Sequence, residues 1–237
     1  MVSGQWSVRG QWSVRELGIM NRFYLGLDLG QRQDYTAIAV VEREEPVLVR
    51  FDYVAWMRWG TKLETKFVVR HLERIALGTS YVSIVDRVRR MVNSEDLRGR
   101  CSLVVDGTGV GGAVVDLLRE SDMDCELVPV QITGGGKARR EAGAWNVPKR
   151  DLIGVVQVLF EQGRLLFADG MPRVKMLVDE LMAMRVRVTT EGNEQYGAWR
   201  EGAHDDLALA VAMACWRGKA DERVVGDRSD GRVIFAY

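Results

Sequence analysis

Three short stretches of the chain hold carboxylates where an ordinary fold has little use for them: "LGLDLG" around Asp28, "CSLVVDG" around Asp106, and "EGAHDDLALAVAMACW", which opens on His204, Asp205 and Asp206. In the first, the two-residue period of a strand sets Gly26, Asp28 and Gly30 on one face and Leu25, Leu27 and Leu29 on the other. A carboxylate between glycines on a central strand is open to a cation, and burying it unpaired costs several kcal/mol. Taken alone, Asp28 reads equally well as a strand-end residue capping the polar turn "GQRQD". Asp106 ends an apolar run, and ligands collect at the carboxyl ends of strands in α/β sheets; alone, a plain Asp-Gly turn accounts for it. Asp205 and Asp206 begin a helix, whose dipole favours negative charge. A cap explains one of them. Asp206 borders the apolar stripe Leu207, Ala210, Val211, Ala214 and Cys215, and capping accounts for it poorly.

The group is stronger than its members. A first central strand, the end of a later strand and the start of a closing helix can converge on one point in an α/β fold. Carboxylates shared there can hold two divalent cations about 4 Å apart, which activate water and stabilise the leaving oxygen in phosphodiester hydrolysis. Mg²⁺ or Mn²⁺, which take hard oxygen ligands, suit such a set. Zinc would want more nitrogen and sulfur than two His and three Cys offer. Gly107, Gly109 and Gly112 match a dinucleotide-binding pattern, but Asp106 directly before them would face the pyrophosphate, so that reading is set aside.

These acids need a scaffold, and the pattern provides one. Composition is 47% hydrophobic and 28% charged over 237 residues, ordinary for a folded domain, with a net charge of zero. No run reaches the ~20 apolar residues of a membrane span, and three scattered cysteines suggest a reduced, cytosolic setting. Strands are expected at 23–29, 35–42 and 47–56 as an antiparallel meander, then at 101–106 and 125–130, with further extended stretches at "RLLFA" and in a hairpin turning at Glu191–Asn193. Helices are expected at roughly 80–92, 110–120, 148–162, 172–184 and from the Asp pair to about 217. The tandem "GQWSVR" at 4–9 and 10–15 has no partner element. Residues 1–19 are therefore read as an extension without packed structure, 20–217 as the domain and 218–237 as a polar tail. The sum is an α/β domain: a mixed five-stranded sheet, antiparallel meander plus parallel strands, with helices on both faces. Between Gly136 and Asp151, Lys137, Arg139, Arg140, Lys149 and Arg150 stand against Glu141 alone, flanking Trp145. Such a run suits phosphates beside a helix start, although by itself it is as often a solvated loop.

At these residues the sequence resembles the nuclease domain of the bacteriophage terminase large subunit, of the RNase H-like (RuvC-type) superfamily. The likeness runs over about 22–217 and rests on "LGLDLGQRQDYTAIAVVE", "LVVDGTGVGG", "VPKRDLI…GRLLF" and above all "HDDLALAVA". It implies a Mg²⁺- or Mn²⁺-dependent endonuclease acting on double-stranded DNA during phage packaging, in the host cytoplasm. Asp28, Asp106 and Asp206 would be catalytic, with Asp205 a further metal ligand and Asp34 and His204 accessory. Lys137, Arg139, Arg140, Lys149 and Arg150 would contact DNA. "TGGGKARR" lacks phosphate-loop spacing, so a separate packaging ATPase, a small terminase subunit or a portal are the expected partners. The competing readings are a fragment of a sugar-kinase or actin-like ATPase, whose phosphate loops start from a similar first strand, and a catalytically silent DNA-binding relative.

Overall fold

The computed structural model describes residues 22–30, 34–45, 65–109, 111–188, 194–198 and 204–226, with backbone only at 185–188, 194–198 and 222–226. The extension at 1–19 and the third strand expected at 47–56 lie outside the described residues.

β1 (Arg22–Asp28) is the axis of the sheet. It pairs antiparallel with β2 (Thr36–Glu44), which pairs antiparallel with β3 (Lys66–Ile75). On its other side β1 runs parallel to β4 (Cys101–Asp106), and β4 parallel to β5 (Glu126–Thr133). The third meander strand is thus Lys66–Ile75, a segment in which "RHLER" obscures the alternation. The core of five strands has the expected mixed pairing, but the sheet is eight strands wide, in the order β6-β7-β5-β4-β1-β2-β3-β8. β6 (Arg139–Glu141) and β7 (Ala144–Pro148) widen one edge, and β8 (Leu165–Phe167), the expected "RLLFA" strand, lies parallel to β3 at the other. β6 and β7 form a hairpin through Ala142 (φ 49°) and Gly143 (φ 84°), the left-handed pair of a tight two-residue turn.

Strand alternation divides the core in two. Leu25, Leu27, Ile38, Val40, Leu103 and Val105 face α1 (Tyr81–Val92) and α2 (Gly111–Glu120). Tyr24, Ala37, Ala39, Val104 and Val130 face α3 (Lys149–Glu161), α4 (Val174–Ala183) and α5 (Asp206–Gly226). Asp28 and Asp106 follow the second parity, so their strands offer them to the side where α5 lies. β9 (Met184–Val188) and β10 (Glu194–Ala198) form the expected hairpin, apart from the main sheet.

Every residue of α5 from Asp206 to Cys215 is buried, because α3 and α4 flank it over the sheet. Its approach to β1 is backbone on backbone: a Cβ added at Gly26 would stand 1.8 Å from the Ala210 carbonyl oxygen. The glycine in "LGLDLG" therefore serves packing as well as access. α5 continues to Gly226, past residue 217. Asp221 is buried there, accepting a 2.8 Å hydrogen bond from Tyr24 and pairing with Arg217 and Arg22.

Candidate metal centre

The parallel register of β1 and β4 matches Leu27 with Val105, so the two strands finish side by side, one residue later, at Asp28 and Asp106. The start of α5 adds Asp205 and Asp206. Three of them act on the fourth: burial pushes the Asp28 carboxyl well above the usual carboxylate range, and the negative charges of Asp106, Asp205 and Asp206 push it further, with Lys149 opposing. Asp106, Asp205 and Asp206 thus all lie near enough to Asp28 for their charge to bear on its carboxyl.

Each of the other three is held differently. Asp106 Oδ1 accepts from both the N–H (2.9 Å) and the hydroxyl (2.6 Å) of Thr108, whose oxygen in turn accepts from the Ile132 N–H of β5. One carboxylate oxygen is fully used in fixing the other's direction. Asp205 Oδ2 accepts from Lys149 Nζ at 2.7 Å. Asp206 is buried; its Oδ1 accepts from Arg74 at 2.6 Å, and its Oδ2 is buried with no hydrogen-bond partner.

The cap expected of Asp205 is supplied elsewhere. Glu180, on α4, accepts from the Ala208 N–H at 2.9 Å with Oε2 and from Arg74 with Oε1. Asp205 instead turns its carboxylate to Lys149. Burial pushes Glu180 up to about 7, helped by the charges of Asp206 and Asp205 and opposed by the Ala208 N–H and Arg74.

Neither Arg74 nor Glu180 was suggested by the sequence pattern. An acid three residues after Leu177 on the buried side of an amphipathic helix is a signal that could have found Glu180. His204 packs its ring edge-on to Tyr35, 5.1 Å between centroids, and lines a cavity of about 580 Å³ with Arg74 and Glu180. Asp34 is exposed, at the return from β1 to β2, where Gly30 leaves no room for a Cβ against its carbonyl.

The basic segment is divided. Lys149 joins the acids. Lys137, Arg139 and Arg140 are exposed on the β6 hairpin and the loop before it, Arg139 within 3.3 Å of Glu141. Arg150 donates to the Gly136 carbonyl and braces that loop. Trp145 packs edge-on against Trp216 of α5, so it belongs to the scaffold.

Among the described residues no three His, Cys, Asp or Glu side chains stand close enough to grip an ion at once. Lys149 and Arg74 hold two of the acids to themselves. The donors nonetheless suit a hard divalent cation: all are oxygen, mutual repulsion favours a positive charge among them, and Asp206 Oδ2 lacks any partner.

No protein-family profile matches the chain. The magnesium-bound large terminase nuclease of the thermophilic phage G20c superposes with a TM-score of 0.54 at 23% identity, covering 82% of this chain and 80% of that one. A manganese-bound nuclease domain of the large terminase subunit of bacterial virus Sf6 gives 0.56 at 14% identity, covering 82% and 87%. The fold is that of a terminase nuclease domain. In sequence, the terminase large subunit of Thermus virus P23-45 is 23% identical over 192 residues, 81% of this chain. That stretch is 31% of the relative's length, so the chain spans under a third of the terminase subunit it matches. The mixed α/β sheet expected from sequence agrees with the fold of these nuclease domains.

Proposed function

We propose that the chain is a metal-dependent endonuclease acting on double-stranded DNA, in the manner terminases require to cut phage genomes during packaging. The observation that carries this reading is the pairing of Asp28 and Asp106 at the ends of adjacent parallel strands, with Asp205 and Asp206 at the start of the helix near enough to add to the effect of burial on the Asp28 carboxyl. Asp28, Asp106 and Asp206 would hold two Mg²⁺ or Mn²⁺ ions, with Asp205 as a fourth ligand or a support. Ions held so would lower the pKa of a bound water and neutralise the leaving oxygen. Thr108 keeps Asp106 aimed, and Lys149 balances part of the acid charge next to where a phosphate would sit. His204, beside Tyr35 at the rim, would orient an acid or a phosphate, and Asp34 would assist from the β1–β2 return. The metal-bound terminase nucleases with this fold support the choice of cation.

In this setting the partners are a packaging ATPase, a small terminase subunit and a portal, and the place is the cytoplasm of the bacterial host. No helix among the described residues is long and apolar enough to cross a membrane.

Supercoiled plasmid tests the reading directly. The protein should nick or linearise it with millimolar Mn²⁺ or Mg²⁺ and leave it intact with chelator. ATP hydrolysis without nicking would replace the nuclease with an actin-like or sugar-kinase-like ATPase. DNA binding with neither activity would leave a silent relative.

The exposed bases of the β6 hairpin should carry the sequence-independent part of binding. Changing Lys137, Arg139 and Arg140 together to Ala should weaken DNA binding and flatten its salt dependence, by about 0.9 in slope for each phosphate no longer neutralised. Filter binding across a salt series measures this. An unchanged slope would return the segment to the status of a solvated loop.

A further inference from the structure

The acid pair opening α5 is tied to two residues that play no part in the proposed chemistry. Arg74, from the end of β3, places one guanidinium nitrogen between Asp206 Oδ1 and Glu180 Oε1. The three side chains are 14%, 7% and 6% exposed, so one cation serves two carboxylates almost out of solvent. With Glu180 ionised, that arrangement is one positive charge short. It also leaves Arg74 Nε and Asp206 Oδ2 buried without partners, one on each side of the same contact. Tyr35 stacks under the guanidinium at 4.9 Å and keeps it in this plane. Glu180 is pinned independently, through the Ala208 N–H.

A divalent cation on Asp206 would supply the missing charge, but it would have to share that carboxylate with Arg74. Two cations cannot sit on one carboxylate at close range without repelling each other. Glu180 offers Arg74 a second seat that needs no movement of the backbone. We infer that Arg74 is an internal competitor for metal at Asp206 and that Glu180 is the anchor onto which it withdraws, so that the Arg74–Glu180 pair sets the affinity of the centre. Both are positioning residues, and the inference rests on the reading of Asp206 as a metal ligand.

Glu180 then acts through Arg74 rather than through its own charge, and a double-mutant cycle separates the two. Mn²⁺ affinity is measured by titration calorimetry on the wild type, Arg74→Met, Glu180→Gln and the double variant, alongside the melting temperature without metal. Glu180→Gln keeps an oxygen for the Ala208 N–H but commits Arg74 to Asp206, so Mn²⁺ should bind about tenfold more weakly, within the range of coupled neighbours. Arg74→Met should bind Mn²⁺ about tenfold more tightly, with a lower melting temperature without metal because two buried carboxylates lose their cation. The double variant should also bind tightly, close to Arg74→Met, since with Arg74 gone there is nothing for Glu180 to withdraw. If the two charges act independently, their effects cancel and the double variant returns to wild-type affinity; that result overturns the inference. So does an Arg74→Met affinity no tighter than wild type. Should Arg74→Met fail to fold, the double variant, with one carboxylate neutralised, decides alone. Wild-type protein that binds no Mn²⁺ overturns the metal centre itself, and so is told apart from failure of the competition.

Discussion

Asp28→Asn should abolish cleavage and at the same time raise the melting temperature of the protein without metal. The carboxyl of Asp28 is pushed up by burial and by Asp106, Asp205 and Asp206, so its charged form is strained in the folded chain. Because the folded state holds this proton more tightly than the unfolded state, the group's contribution to stability falls as pH rises from the ordinary value of 3.8 towards the folded pKa. Asn keeps the shape and removes the charge. The variant should therefore match wild type in acid, gain on it as pH rises, and melt a few degrees higher at neutral pH, about 2–4 °C per kcal/mol relieved. Cleavage should fall about a thousandfold, the several kcal/mol that a bound cation supplies, and stabilisation by Mn²⁺ should shrink with it. Calorimetric melting across a pH series and plasmid nicking check both halves. Wild-type cutting by the variant, or a lower melting temperature at neutral pH, would refute the strained-carboxylate reading. Asp206→Asn should behave differently. It too should lose metal binding, more than Asp205→Asn does, but without the gain in stability, because Arg74 loses a partner.

Gly26→Val should cost more stability than any charge change at the centre. Its Cβ would fall 1.8 Å from a backbone oxygen of α5, and neither the strand nor the helix can yield there without opening the core. Overpacking of this kind costs about 3 kcal/mol or more. For a domain of this size that is a fall of about 6–12 °C in melting temperature. Activity should disappear as well, since the helix that moves carries Asp205 and Asp206. Gly154→Ala on α3, with open space around its Cβ position, is the control and should be neutral or slightly stabilising. A Gly26→Val protein that melts like wild type would mean α5 does not lie as described.

The acids were legible because their chemistry conflicts with their surroundings. A carboxylate between glycines on a strand, another ending an apolar run and a pair opening an apolar helix each break a local pattern, and the charges of the last three reach the first. Their neighbours broke no pattern. Arg74 sits in "RHLER", where charge is abundant, and its role depends on β3 reaching Asp206 across 132 residues. Glu180 shares the buried side of its helix with Leu177, but nothing in the sequence says which residues face it there. The β6–β7 turn went unread because Ala142 takes a left-handed conformation that alanine rarely advertises. Of the two roles open to Asp205, cap or support, helix-start preference favours the cap, yet its carboxylate is engaged by the Lys149 ammonium while Glu180 takes the Ala208 N–H. The reach of α5 to Gly226 was hidden for the opposite reason: its last turns are charged, and among what holds them are a tyrosine hydroxyl and an arginine contributed by the first strand.

That helix has a mechanical consequence. Twenty-one residues make a rod about 31 Å long, clasped at its start by Arg74, Glu180 and Lys149 and near its end by Tyr24 and Arg22. Between the clasps it rests on β1 with no side chain at Gly26 to act as a cushion. A rod gripped at both ends and bedded along its length transmits displacement instead of absorbing it. A push against the Asp221 end should therefore be felt at the acid pair, at the opposite end of the helix.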